Sequence, residues 1–143
     1  MSRNRPIILI DDDPDDQALY ISVLEKLPVH NPVKALNNGE EALAYLLETR
    51  NDPFLIVCDV KMPKMGGIEL RRKIVNNPTL HEKAIPFLFM TGNADQNDVR
   101  MAYDMSVQGF FTKPDSIEQL TQIFRTATQY WSLCRHPNMI KDA

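Results

Sequence analysis

Carboxylates stand directly after two of the most apolar stretches of the sequence. Asp11 and Asp12 follow the run IILI at 7–10, and Asp59 follows FLIVC at 54–58. Two unit charges about 4 Å apart at an effective dielectric of about 20 repel by roughly 4 kcal/mol, so three converging carboxylates need a cation. Ligand oxygens, with no histidine or cysteine among the ligands, favour a hard ion, and a few carboxylates with retained waters suit Mg²⁺ better than Ca²⁺. The pattern predicts a Mg²⁺ site.

The first group of aspartates also has a purely structural interpretation. In DDDPDD at 11–16, Asp13 can cap a helix, Pro14 suits the first helical position, and the acidic residues that follow favour the positive end of the helix dipole. Capping leaves Asp11 and Asp12 unexplained, so on composition alone the two interpretations stand equal. Because Asp59 stands at the end of a second apolar run, the interpretation as a functional site is favoured.

Two further apolar runs end in groups that complement an anionic site. FLFMTG at 87–92 ends in a hydroxyl, Thr91, and GFFTKP at 109–114 ends in an ammonium, Lys113, which could meet a phosphoryl group or pair with a carboxylate. Taken singly, each is better explained as a β-forming or capping threonine and a solvated loop lysine. Together with the three aspartates, all at ends of core strands, they favour a functional site.

The elements that must position these residues alternate regularly. Continuous apolar runs of four or five residues suit strands buried on both faces. Such runs stand at 7–10, 54–58 and 87–90, with weaker candidates at 33–36 and 109–112. Helical spacing of apolar residues stands at 15–27, 40–49, 67–76, 95–106 and from 117 onwards, where Ile117, Leu120, Phe124, Ala127 and Trp131 form one stripe. This alternation predicts a doubly wound α/β fold, with ligands bound beyond the carboxyl ends of parallel strands.

Length and charge limit the possible functions. The chain has 143 residues and a formal net charge of −3, so it lacks a general basic field for nucleic acid or an anionic membrane. No apolar run approaches the roughly 20 residues that span a bilayer, and we expect a cytoplasmic protein. Cys58 and Cys134 are expected to be reduced packing residues. We expect one domain over 1–143, with a core at about 5–133 and a short tail at 134–143.

At this point the chain resembles the receiver domains of bacterial two-component response regulators. The resemblance is carried by IILIDDDPDD, NNGEEALAYL, LIVCDVKMPKMGGIEL, PFLFMTG and GFFTKP. It implies a flavodoxin-like sheet of five parallel strands in the order 2-1-3-4-5 with five helices. It further implies that Asp59 accepts a phosphoryl group, that Asp11 and Asp12 position Mg²⁺ with Asp12 as a direct ligand, and that the backbone carbonyl of Lys61 completes the metal site. A cis bond before Pro114 is also implied.

The resemblance assigns the remaining site residues as well. Thr91 corresponds to the switch hydroxyl, Lys113 to the lysine that pairs with the phosphoryl group, and Phe110 to an aromatic that turns inward on activation. For Phe110, plain core packing is an equal alternative. Lys61 and Asn93 correspond to positions that flank the path of the hydrolytic water, where they would set the phosphoryl lifetime.

Partners and organisation follow from the same resemblance. The phosphoryl donor would be a phosphohistidine on a sensor histidine kinase or a His phosphotransfer domain, while the downstream partner stays unknown. The ending QYWSLCRHP at 129–137 is similar to that of single-domain regulators, which predicts a stand-alone receiver that is not a turnover enzyme. A homodimer through the face of the fourth helix, fifth strand and fifth helix is a further hypothesis.

Two alternatives remain open at this stage. A phosphatase of the haloacid-dehalogenase type also places Asp-x-Asp after a first strand, which Asp11 and Asp13 match, but it gives Asp59 no role and needs a further acidic pair after Lys113. The second alternative is a module that binds proteins independently of phosphorylation. The full set of receiver-type residues speaks against it.

Overall fold

A computed structural model describes residues 5–137 of the chain. Strands and helices alternate along it, except for one short additional helix before the fourth strand. The strands are β1 (Ile7–Ile10), β2 (Val33–Leu36), β3 (Leu55–Cys58), β4 (Phe87–Thr91) and β5 (Gly109–Thr112). The helices are α1 (Pro14–Glu25), α2 (Gly39–Glu48), α3 (Gly67–Asn76), α4 (Pro78–Glu82), α5 (Gln96–Asp104) and α6 (Ile117–Leu133).

The five strands form one parallel sheet in the order β2-β1-β3-β4-β5. This confirms the predicted flavodoxin-like order. Because all strands run the same way, their carboxyl ends lie along one edge of the sheet. In register, Ile10 of β1 stands beside Cys58 of β3, so the residues that follow these strands are neighbours.

The core lies in two layers, one on each face of the sheet. Alternate residues of β1 point to opposite faces: Ile8 and Ile10 join the layer under α2, α3 and α5, whereas Ile7 and Leu9 join the layer under α1 and α6. Strands β1, β3 and β4 are buried along their whole length, as their continuous apolar runs predict. The central strands are thereby fixed from both sides.

Side-chain caps define where several helices begin. The carboxylate of Asp13 accepts a hydrogen bond from the backbone N–H of Asp15 at 2.9 Å, and Pro14 occupies the first turn of α1. The capping role predicted for Asp13 is therefore confirmed. Since a cap satisfies an otherwise unpaired N–H, it fixes the point where the chain turns from the sheet edge into α1.

The predicted number of helices was wrong by one. The five-residue helix α4 was not predicted, although Asn77 accepts from Leu80 N at 3.1 Å and Pro78 stands in the first turn. The segment is too short for helical periodicity to appear, so only its Asn-Pro start signals it. The fourth and fifth helices of the predicted alternation are accordingly α5 and α6.

One apolar residue of the stripe predicted for the last helix is exposed. This residue is Ile117, at the start of α6, whereas Leu120, Phe124 and Ala127 are buried. Ile117 lies in the first turn of its helix. Trp131 is partly buried against the layer under α1 and α6.

Other expectations concern single bonds and groups. Cys58 and Cys134 are both free, and burial raises the pKa of the Cys58 thiol, which keeps it protonated. Within 5–137 there is no cis peptide bond, so the cis bond expected before Pro114 is absent; the trans form of such a bond is favoured by about 0.5–1 kcal/mol.

No helix within 5–137 is both long and apolar enough to cross a membrane. The end of the expected tail, 138–143, lies outside the described residues.

Candidate phosphoryl-acceptor site

Three of the predicted residues meet at the carboxyl edge of the sheet. Asp11, Asp12 and Asp59 each offer a carboxylate oxygen, and these oxygens lie within 4.8 Å of one another. The backbone brings them together, because the N–H of Asp59 donates to the carbonyl of Ile10 at 2.8 Å across β1 and β3. Asp11 and Asp59 are buried, whereas Asp12 is exposed.

Backbone N–H groups orient the two buried carboxylates. Asp11 Oδ1 accepts from Asp13 N at 2.9 Å, and Asp59 Oδ1 accepts from Val60 N at 2.7 Å. Each carboxylate is thus held by one oxygen, which leaves the other for a cation. Gly67, the first residue of α3, lies against the backbone of Asp59. A Cβ at this position would lie 2.2 Å from the Asp59 carbonyl oxygen, so only glycine fits.

Lys113 supplies the cation that the carboxylates require. Its Nζ lies 3.0 Å from Asp11 Oδ2, 3.2 Å from Asp59 Oδ2 and 2.7 Å from Asp16 Oδ2. Its backbone N–H donates to the carbonyl of Thr91 at 2.9 Å, which fixes the end of β5 against the end of β4. The predicted lysine is therefore part of the site, and it is joined by a carboxylate that was not predicted.

Asp16 was assigned only to the helix dipole in the sequence. It lies in the first turn of α1, 97 positions from Lys113, and makes the shortest of the three lysine contacts. No local pattern marks this contact, because Lys113 is distant in the sequence. Each aspartate of the run could equally be a cap or a dipole charge, so nothing singled out Asp16.

Burial and ion pairing have opposite effects on the pKa values of Lys113 and Asp11. Burial opposes the charge on Lys113, but hydrogen bonds to Asp16 and Asp11 outweigh it and raise the lysine pKa. For Asp11, burial is the largest influence and raises the carboxyl pKa, although the Asp13 N–H and Lys113 both act to lower it. The hydrogen bond from Asp13 and the charge of Lys113 therefore offset the burial of the Asp11 carboxylate only in part.

Thr91 and Phe110 lie on the adjacent strands β4 and β5. Thr91 is the last residue of β4 and is buried, with 2% of its surface exposed. Phe110 in β5 is half-buried, and its ring lies 5.6 Å from that of Phe89. In the sheet Phe110 pairs with Phe89 and Thr91 with Thr112, and the switch roles of Thr91 and Phe110 stay predictions.

Lys61 and Asn93 lie in the loops after β3 and β4. Both side chains are exposed, at the same edge of the sheet as the carboxylates. Their placement is compatible with contact to solvent approaching Asp59. The roles assigned to them, including the Lys61 carbonyl as a metal ligand, stay predictions.

The donor set fits a hard divalent ion. Three carboxylates within 4.8 Å provide only oxygen, and the exposed Asp12 leaves one side of the cluster open to water. Such an open, oxygen-only arrangement suits an ion that keeps part of its hydration shell.

The chain belongs to the response regulator receiver domain family, whose model matches residues 7–125. The response regulator Rcp1 of Synechocystis sp. is 28% identical over 130 residues, which is 87% of each chain. A probable cyclic di-GMP phosphodiesterase of Vibrio cholerae is 31% identical over 86% of this chain, but this chain spans only 26% of its length. Receivers of this family are signalling domains that interact with sensor histidine kinases and bind divalent metal.

Solved structures agree with the family assignment. The phosphorylated cyanobacterial phytochrome response regulator RcpA is 28% identical, with a TM-score of 0.84 over 94% of this chain and 99% of that one. The Mn²⁺-bound form of Rcp1 is 26% identical, with a TM-score of 0.80 over 93% and 99% of the respective chains. The protein is thus a receiver of two-component signalling, with the sheet order and the topology of these regulators.

Proposed function

We propose that the protein accepts a phosphoryl group on Asp59 in a Mg²⁺-dependent reaction, from a phosphohistidine of a sensor kinase or a His phosphotransfer domain. The observation that carries this proposal is the position of Asp59 between two metal-competent carboxylates and the Lys113 ammonium. A carboxylate in that setting is screened from its neighbours' charge while one of its oxygens faces a cation. We expect the reaction to take place in the cytoplasm.

The chemistry is an in-line displacement at phosphorus. An Asp59 carboxylate oxygen attacks the phosphorus, the bond from phosphorus to the histidine nitrogen breaks, and the electron pair stays on the ring nitrogen. Mg²⁺, held by Asp11, Asp12, Asp59 and the Lys61 carbonyl, would supply neutralisation of the phosphoryl oxygens. Lys113, already 3.2 Å from Asp59, pairs with the charge that the phosphoryl group brings.

The output is a change of surface and not a turnover reaction. An aspartyl phosphate adds about −1.5 to −2 charge and three acceptor oxygens, enough to draw the Thr91 hydroxyl inward. Phe110 then has room to turn toward the sheet. Lys61 and Asn93 flank the approach of water and set how long the phosphoryl group survives.

The surface that responds is the face of α5, β5 and α6, which could also support a homodimer. Tyr103 on α5 and Tyr130 on α6 are exposed. A groove of about 820 Å³ lies between β5 and α6, and its lining includes Lys113 of the site and Tyr130 of this face. Light scattering that finds a monomer both with and without a phosphoryl mimic would dismiss the dimer.

The haloacid-dehalogenase alternative loses support from the contacts of Asp13. That mechanism needs the second aspartate of Asp-x-Asp free to act as an acid, whereas the Asp13 carboxylate is occupied as the cap of α1.

Intact-protein mass spectrometry after treatment with acetyl phosphate tests the proposal. We expect one phosphoryl adduct with Mg²⁺ present, none with a chelator, and none for Asp59→Asn in either condition. Asp104→Asn, which removes an exposed carboxylate at the end of α5, is the matched control and should behave as the wild type. An adduct of equal yield on Asp59→Asn would contradict the assignment.

A further inference from the structure

Asp16 makes a contact that the receiver chemistry described so far does not use. Its Oδ2 lies 2.7 Å from Lys113 Nζ, closer than the carboxylates of Asp11 and Asp59. The Asp16 side chain is 28% exposed. A hydrogen bond between two charged groups at this distance is of the strong, charge-assisted kind. The contact joins α1 to the loop after β5.

The three carboxylates around Lys113 differ in what else they must do. An ammonium has three hydrogens, and here each can be directed to one carboxylate. Asp11 and Asp59 also belong to the cluster that fits a divalent ion, so their charge is shared as soon as an ion binds. Asp16 lies outside that cluster, so its contact with Lys113 can stay unchanged when an ion binds.

The backbone that carries Asp16 is fixed on both sides. Before it, the Asp13 cap anchors the start of α1. After it, the side-chain amide of Gln17 donates to the carbonyls of Asp11 and Leu36, at the ends of β1 and β2. A carboxylate held between two such anchors can fix the direction of a flexible lysine side chain.

We propose that Asp16 is a positioning residue that holds the Lys113 ammonium over Asp59 while the ion and the phosphoryl group change the partners of the other two carboxylates. This rests on the proposed phosphorylation of Asp59. Without Asp16, the four-carbon lysine side chain can turn toward solvent when Asp11 and Asp59 are engaged. The phosphoryl group then meets a less well placed cation.

The test compares rates of Asp59 phosphorylation by acetyl phosphate at saturating Mg²⁺. We expect Asp16→Ala and Asp16→Asn to slow the reaction about tenfold, which corresponds to about 1.4 kcal/mol. Asp15→Ala is the matched control: it removes a neighbouring charge from the same exposed turn, without a contact to Lys113, and should leave the rate within twofold of the wild type.

A double-mutant cycle separates positioning from a general loss of charge. In a Lys113→Ala background, Asp16→Ala should produce no further slowing, because the residue through which it acts is gone. Equal slowing in both backgrounds, or a rate for Asp16→Ala equal to that of Asp15→Ala, would overturn the proposal.

A second measurement tests the anchor without any phosphorylation. In the metal-free protein, the side-chain ¹⁵N resonance of Lys113 should shift in Asp16→Asn and stay unchanged in Asp15→Asn. An unshifted resonance would overturn the inference, even if the wild type is phosphorylated. Failure of the wild type to take up phosphate, with the resonance shifted as expected, would instead contradict the proposed function and leave the Asp16 contact standing.

Discussion

Lys113 and Arg71 are two cations with little exposure to solvent, and their partners are of different kinds. Lys113, at the carboxyl edge of the sheet, contacts three carboxylates. Arg71, on α3, has 7% of its surface exposed and contacts no carboxylate among the described residues. Its guanidinium donates to the carbonyls of Met105 and Ser106 at 3.0 and 3.2 Å, and lies 5.3 Å from the ring centre of Phe87.

The two environments move the pKa values in opposite directions. Burial lowers the pKa of Arg71, with no counter-ion to offset it, whereas the pKa of Lys113 is raised because its carboxylate partners outweigh burial. Main-chain carbonyls cannot leave, so Arg71 ties α3 permanently to the end of α5. Carboxylates can exchange one cation for another, so Lys113 can change partners when an ion or a phosphoryl group arrives. The comparison separates a structural charge from a reactive one.

The largest effect is expected where the reactive cation is removed. Lys113→Ala should slow phosphorylation of Asp59 about a hundredfold, as for loss of a preorganised group facing transition-state charge. The rate is measured by mass spectrometry at saturating Mg²⁺. A variant with a normal rate and normal phosphorylation-dependent switching would refute the role of Lys113.

Removal of the structural cation, Arg71, is expected to lower the stability of the fold without slowing phosphorylation of Asp59. Arg71→Ala removes two charged hydrogen bonds at the end of α5 and should lower the free energy of unfolding by about 3 kcal/mol, measured by urea denaturation. Arg72→Ala, the exposed neighbour, should stay within about 0.5 kcal/mol of the wild type. The comparison fails if Arg71→Ala slows phosphorylation as strongly as Lys113→Ala while remaining folded.

The smallest effect concerns His136, a partly buried histidine whose charged form is disfavoured by burial. Burial and the nearby Arg5 lower its pKa from 6.5, while Asp52 and the carbonyls of Lys83 and Ala84 act to raise it. The unfolded chain therefore binds a proton first as pH falls below about 6.5, so folding stability decreases on acidification from that point until the folded-state pKa is passed. Urea denaturation at pH 7 and pH 5.5 should show a larger loss for the wild type than for His136→Gln; equal losses would contradict this.

Much of the site was predictable because strand ends are marked in the sequence. Continuous apolar runs locate β1, β3 and β4, and a parallel sheet places whatever follows them along one edge. The same reasoning predicts that Asp11, Asp12 and Asp59 meet, and the weaker strand run at 109–112 adds Lys113. It rests on backbone topology, which a short sequence pattern records well.

The residues that escaped prediction depend on side-chain packing instead. The run RRK at 71–73 carries no local sign that one of its cations is buried, yet Arg72 is exposed and Arg71 is buried under the end of α5. Asp16 was hidden among four similar aspartates in its run. In both cases the partner is distant in sequence, at Ser106 or Lys113, so no local pattern records the contact.

Mapping the modified residue tests the central claim most directly. After treatment with acetyl phosphate and Mg²⁺, borohydride reduction converts an aspartyl phosphate to homoserine, which tandem mass spectrometry locates in a peptide. We predict homoserine at position 59 and none at 11, 12 or 16. Homoserine at position 11 with aspartate intact at position 59, or no conversion at all in a folded and Mg²⁺-saturated protein, would contradict it.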